Sequence, residues 1–227
     1  MNVRSLLFPV VAALLVCAAA VAGPQIIGPS GSAFTVPVTS LKGMRFVSTL
    51  RQQYDFSCGS AAVATLLTHQ YNWKVDEATV FRAMFERGDQ AKIQQEGFSM
   101  LDMKRYLDGA GFRAEGMEVS LDELASVGVP AIALIKENGY SHFVVIKGVR
   151  DGQVVIGDPA MGTRVLARAE FKRFWTNGIL LIANERIELA QFNREQDWSV
   201  RPKAPIGAGV DRGKLDVLLL QRGPMDF

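Results

Sequence analysis

Cysteine and histidine are scarce in this 227-residue chain, at two of each. So small a supply excludes a disulfide framework. Long single-sign charge runs are absent, and no basic stripe is interleaved with aromatics, which excludes the usual footprint of a nucleic-acid partner. Apolar runs of membrane-spanning length are missing too. The longest, Leu6 to Val16, is too short to cross a bilayer with comfort. It follows Arg4 and ends in Ala20-Val21-Ala22, the layout of a secretory signal peptide with a cut expected after Ala22. A lipoprotein reading at Cys17 is disfavoured by Val16, which stands where a small residue is required. The expected location is therefore bacterial periplasm or exterior, with no integral membrane segment after cleavage.

Cleavage takes Arg4 from the 25 basic residues that face 23 acidic ones, leaving a nearly neutral chain. It also removes Cys17, so Cys58 remains alone. Exported proteins meet oxidising surroundings, where cysteines are usually paired. A lone thiol there has to be explained.

What is present is a globular composition, 48% hydrophobic and 21% charged, with room for one ordinary core. Residues 23–44 are rich in Gly, Pro and Ser and read as a flexible lead-in. Cys58 to His69 carries small and apolar residues without a breaker and predicts a helix. Asp76 to Arg87 has apolar residues three and four apart, and its Phe81 and Phe85, like Tyr106, read as core. GDQAKIQQEG reads as a polar loop. Ser99 with Asp102, and Ser120 with Glu123, predict two capped helices, the second ending at Gly128. After Pro130 the texture changes to short Val- and Ile-rich strands at Ala131–Ile135, His142–Val149, Val154–Gly157, Thr163–Leu166 and Ile179–Ala183. Asn138-Gly139, Asp151-Gly152 and Ala160-Met161-Gly162 punctuate them, and a short helix is expected near Glu170–Trp175. Helices first and strands afterwards predict an α+β domain with an antiparallel sheet over 45–184. A C-terminal extension, 185–227, has no clear pattern beyond an apolar patch at Val217–Leu220.

The stretch RQQYDFSCGSAAVATLL places Cys58 at the start of a helix, where the thiolate is favoured. A base must be one of two histidines. His69 lies eleven residues along the same predicted helix, roughly 16 Å away, which leaves His142 at the mouth of the strand HFVVIKGV. Asp158, in IGDPAMG at the end of the next strand, is placed to orient the imidazole. Asp151 sits in the turn at the far end of that hairpin. The Cys58 N–H and an upstream glutamine amide, Gln52 or Gln53, could serve an oxyanion, and spacing does not choose between the two.

Gln52, Cys58-Gly59, SHFVVIKG and IGDPAMG, together with GFSMLDMKRYLDGAGF and SVGVPAIALIK, resemble the bacteriocin-processing (double-glycine leader) cysteine peptidase family over roughly Phe46 to Ile182. The resemblance implies a papain-like fold. It also implies a nucleophile at Cys58, a base at His142, an orienting residue at Asp158 and an oxyanion glutamine at Gln52. Ser57 departs from the aspartate usual before the cysteine. No transporter's nucleotide loop is present, so the chain resembles a stand-alone exported member, such as the periplasmic peptidase of functional-amyloid secretion systems.

The expected function is thus an exported cysteine endopeptidase cutting a peptide or leader of a secreted substrate, an amyloid subunit or double-glycine leader, with no metal or organic cofactor. A secretion pore is a further expected partner. The rival reading is a peptide-binding chaperone or secretion adaptor that uses the same groove without cutting; a third is an export factor in which Cys58 merely fills space.

Overall fold

The computed structural model describes residues 25–27, 33–35, 40–182 and 185–200. The expected signal peptide and the Val217–Leu220 patch lie outside them. The chain divides into two compact units between Ser40 and Leu41. In the first, β1 (Gln25–Ile27) pairs antiparallel with β2 (Ala33–Thr35).

The second unit begins with α1 (Leu41–Met44) and an irregular stretch up to Ser57. Next comes α2 (Cys58–Thr65), every residue of which is buried. Its sequence, CGSAAVAT, has no bulky side chain to hold neighbours away. The expected single helix through His69 instead widens into a π-helical turn at Leu66–Gln70. Around α2 lie α3 (Glu77–Arg87), α4 (Gln90–Glu96) and α5 (Met100–Gly109). The cap of α3 is Asp76, which accepts the Thr79 N–H at 2.7 Å. Both predicted capping boxes form, Ser99 with Asp102 on α5 and Ser120 with Glu123 on α6 (Leu121–Val127).

The polar loop expected at GDQAKIQQEG is helical in its latter part. Asp89 accepts the Lys92 N–H at 3.1 Å, and the single buried Ile93 anchors α4 to the core. One buried residue in a short polar helix is too little periodicity to register as a pattern.

One six-stranded antiparallel sheet completes the unit, in the order β3-β8-β4-β5-β6-β7. Its members are β3 (Ala114–Glu118), β4 (Ala131–Glu137), β5 (Tyr140–Arg150), β6 (Gln153–Asp158), β7 (Gly162–Ala167) and β8 (Trp175–Ile182). The Asn138-Gly139 and Asp151-Gly152 turns hold both residues at positive φ, as tight two-residue hairpins require. Strand β3 was not expected. Only Ala114 is buried in it, and its place is earned by edge pairing with β8. Between β7 and β8 runs α7 (Arg168–Phe174).

Side chains alternate across the sheet. Ile132, Phe143 and Val145 join the cluster built by α2, α3 and α5. Ala131, Ala133, Ile135, Val144 and Ile146 join the opposite cluster, with Leu121, Leu124 and Phe171 from α6 and α7. Each such fully buried large side chain contributes about 1.5–3 kcal/mol, so both faces are held firmly. Past the sheet, a 3-10 turn (Glu185–Leu189) and α8 (Glu195–Trp198) lie along the unit. They are stitched to it by Gln191 N–H donating to the Gln70 carbonyl (2.8 Å) and Asn193 N–H to that of Lys147 (2.9 Å).

Candidate active site

Cys58 is the first residue of α2, where backbone N–H groups have no partner within the helix. The residue is 7% exposed and its thiol is free. The N–H groups of Phe143, Gly59 and Cys58 itself are directed at the sulfur. The Phe143 N–H belongs to the peptide that joins His142 to Phe143, so the sulfur lies against the backbone of β5 beside His142. Burial pushes the thiol up from its ordinary range, the three N–H groups pull the other way, and the Asp158 charge adds to the rise. The net direction is upward. A helix start alone does not ionise this thiol against its burial; a proton acceptor at hand is required.

His142 is 8% exposed. Its Nε2 lies 3.3 Å from Asp158 Oδ2, while Nδ1 is buried and has no hydrogen-bond partner among the described residues. An imidazole whose one nitrogen donates to a carboxylate presents the other as a base. Tyr140 stacks on this ring, with centroids 5.7 Å apart and 27° between planes.

Asp158, wholly buried at the end of β6, accepts the Ala160 and Met161 N–H groups on Oδ1 at 2.9 and 3.1 Å. Burial alone would raise its carboxyl, but the hydrogen bond and charge of His142 and the two N–H groups hold it below the usual range. Asp151 stands in the turn at the other end of the hairpin. The β5–β6 pairing therefore brings His142 to Asp158 and not to Asp151.

Gln52 is half-buried, and its N–H donates to the Pro159 carbonyl at 3.1 Å, which ties its loop to the one after Asp158. Its amide Nε2 donates to the carbonyls of Tyr54 (3.0 Å) and Asp55 (3.4 Å). Gln53 is exposed. Ser57, wholly buried, closes the same loop by accepting the Tyr54 N–H at 3.1 Å and donating to the Tyr54 carbonyl at 3.0 Å. His69 lies in the π turn with the Lys147 and Arg194 cations, and burial with those charges lowers it to about 4.

From the loop before α2 and from α3 an aromatic ladder reaches the surface. Tyr54, 51% exposed, lies 5.7 Å from Phe56 and 5.1 Å from Phe81, which stacks on Phe85 at 5.4 Å. Phe81 and Phe85, expected in the core, are half-buried at its edge. The sequence reading also passed over Tyr140, Arg164 and Glu137, all grouped at the His142–Asp158 end of the sheet. The residue spacing gave no sign of them, because their meeting depends on cross-strand register.

The fold, helices packed on an antiparallel sheet, is that of a papain-like cysteine peptidase. The chain belongs to the Peptidase C39 family, whose model matches residues 47–187. It is 39% identical over 162 residues to the "Probable functional amyloid protease FapD" of Pseudomonas fluorescens, covering 71% of this chain and 72% of that one. With the protein of the same description from Pseudomonas aeruginosa the identity is 39% over 185 residues, covering 82% and 72%. Among solved structures, the peptidase domain of Streptococcus ComA, described as a bi-functional ABC transporter, superposes with a TM-score of 0.51 at 20% identity. That match covers 60% of this chain and 98% of the other; it speaks to the fold.

Proposed function

We propose that this cysteine peptidase is an exported endopeptidase in which Cys58 is the nucleophile, His142 the base, Asp158 its orienting partner and Gln52 the oxyanion donor. The observation that carries this reading is the disposition of His142. One nitrogen is bonded to Asp158, the other is buried and unpartnered among the described residues, and the N–H of the next residue points at the Cys58 sulfur.

In the reaction, Nδ1 takes the thiol proton and the sulfur attacks a peptide carbonyl. The Cys58 N–H and the Gln52 amide, turned from its own loop, receive the oxyanion. The imidazolium then protonates the departing amine, and the C–N bond breaks. Water, deprotonated by the same ring, cleaves the thioester and frees the enzyme. Asp158 keeps Nε2 protonated throughout, which leaves Nδ1 free to cycle.

The substrate is an exported polypeptide. Similarity to two proteins described as "Probable functional amyloid protease" supports an amyloid subunit or a leader of that secretion class, and the signal-like first 22 residues support export. The half-exposed Tyr54–Phe56–Phe81–Phe85 ladder would accept apolar side chains of that polypeptide.

The test is iodoacetamide alkylation of Cys58 across pH, with mass-spectrometric scoring of cleavage of amyloid-subunit and double-glycine leader peptides. Alkylation near pH 6 that is lost in His142→Ala, and cleavage abolished by Cys58→Ala, are the expected results. Full cleavage by Cys58→Ala would overturn the assignment.

A further inference from the structure

Asp158 Oδ2 is a shared oxygen. It receives His142 Nε2 at 3.3 Å and Arg164 Nη1 at 3.2 Å. The same guanidinium grips Glu137 in a two-pronged bond, Nη1 to Oε2 at 2.9 Å and Nη2 to Oε1 at 3.1 Å. Arg164 comes from β7 and Glu137 from the end of β4, so strands that flank the β5–β6 hairpin converge on its carboxylate. The Arg164 side chain is 13% exposed and that of Glu137 27%, against 0% for Asp158.

We propose that Arg164 and Glu137 are positioning residues for the Asp158–His142 pair, fixing the oxygen that the imidazole bonds and setting the charge that the thiol–imidazole pair experiences. The proposal rests on the roles given above to Asp158 and His142.

The geometric half follows from counting donors. Two N–H groups hold Oδ1, but without Arg164 the imidazole alone, among the described residues, would hold Oδ2. A carboxylate with both oxygens doubly held cannot rotate away when the ring moves a proton. The electrostatic half follows from sign. Asp158's charge opposes the thiolate; a guanidinium on the shared oxygen weakens that potential at the thiol, and Glu137 restores part of it. Each charge stands within hydrogen-bond distance of the next, so neither effect is negligible. Mutual contact holds Glu137 below the usual carboxylate range, with Arg164's hydrogen bond the main cause, and raises Arg164. The imidazole meets Tyr140 on β5 itself and Asp158 from β6, and its charge acts on Glu137 from β4. Arg164 from β7 reaches it through the shared oxygen, and Cys58 from α2 lies at the N–H of the next residue, Phe143. Asp55, from the Gln52 loop, acts at one remove through Tyr140.

A mere strand tie predicts loss of stability and nothing more. A positioning pair predicts opposite displacements from opposite charges. The measurement is the pH midpoint of Cys58 alkylation by iodoacetamide in the wild type, Glu137→Gln, Arg164→Gln and the double variant, with circular dichroism as the folding control. Glu137→Gln leaves the cation uncompensated, favours the thiolate and moves the midpoint to lower pH by roughly half to one unit. Arg164→Gln moves it up by a similar amount, so that alkylation near pH 6 slows by about 3- to 10-fold. In the double variant the midpoint returns close to the wild-type value. Should Arg164→Gln not fold, Arg164→Lys keeps the charge and loses the fork; it retains the wild-type midpoint while Glu137→Gln still moves down. Midpoints that stay fixed, or move in one direction in both single variants, overturn the proposal. A profile unaltered by His142→Ala would instead overturn the site assignment itself, so the two failures are distinguishable.

Discussion

Lys147 Nζ and Asp197 Oδ1 stand 3.0 Å apart, and neither side chain is reached by solvent. Ser48 Oγ donates to the same carboxylate oxygen at 2.6 Å, and Gln70 Nε2 to the other at 3.3 Å. Lys147 lies on β5, five residues beyond His142, whereas Asp197 lies past residue 187, where the family match ends. Burial lowers Lys147 to about 8 in spite of the carboxylate beside it. Removing one partner of a buried pair costs about 3–5 kcal/mol, because the remaining charge is left without compensation. Asp197→Ala should therefore lose that much unfolding free energy in urea titration. Lys147→Met in the same chain should recover most of it. A loss below about 1 kcal/mol, the usual value for an exposed pair, would show that residues 185–200 are dispensable to the peptidase fold.

His69 provides a pH dependence with a definite sign. The folded protein holds it down at about 4, chiefly by burial and then by the Lys147 and Arg194 cations, with Asp197 opposing. An unfolded histidine titrates near 6.5, so between about 6.5 and 4 the unfolded chain binds a proton that the folded chain refuses. Stability is complete above that window and falls as pH drops through it. Urea midpoints at pH 7.5 and 4.5 should differ more for the wild type than for His69→Gln. An equal difference in both would place the acid sensitivity elsewhere.

Gly59 follows the cysteine for a steric reason. A Cβ at this position would stand 2.9 Å from Phe98 Cβ and 3.5 Å from Met103 Sδ, closer to the first than carbon atoms approach. Helix α2 and the start of α5 meet there without room for a methyl group. Gly59→Ala should destabilise the protein by about 1–3 kcal/mol through overpacking. Because the displaced residue adjoins Cys58, alkylation should slow as well. Thermal unfolding and labelling on one preparation would separate the two effects; a variant as stable as the wild type would show that α5 moves aside freely.

The elements that carry strong local signals are legible in the sequence alone. Ser99/Asp102 and Ser120/Glu123 cap helices because a reciprocal hydrogen bond needs only its own four residues. Asn138-Gly139 and Asp151-Gly152 mark hairpins for the same reason. From the hairpin it followed that Asp158, and not Asp151, would stand near His142. What stayed hidden depends on distant chain. Strand β3 exists only because β8 offers an edge, and α4 because Ile93 finds a slot in the core. Arg164 and Glu137 are 27 residues apart in sequence and meet through a register that spacing does not reveal. The upward displacement of the Cys58 thiol was hidden too. Burial at a helix start, which sets that direction, is a property of the packed molecule.

Tyr140 offers a way to separate the oxyanion loop from the nucleophile. Its hydroxyl donates to the Asp55 carbonyl at 3.1 Å, and that carbonyl also receives Gln52 Nε2 at 3.4 Å. The tip of the β4–β5 hairpin thus holds the loop that bears the proposed oxyanion donor. Gln52→Ala should lower kcat by about 10²–10³, the usual cost of losing one such donor. Tyr140→Phe keeps the ring stacked on His142 and deletes only the hydroxyl. One hydrogen bond is worth about 0.5–1.5 kcal/mol, so kcat should fall by roughly 2- to 10-fold. Alkylation of Cys58 by iodoacetamide uses no oxyanion site and should keep its wild-type rate and pH profile in both variants. If Tyr140→Phe slowed alkylation as much as turnover, the hydroxyl would be acting on the thiol–imidazole pair and not on the Gln52 loop.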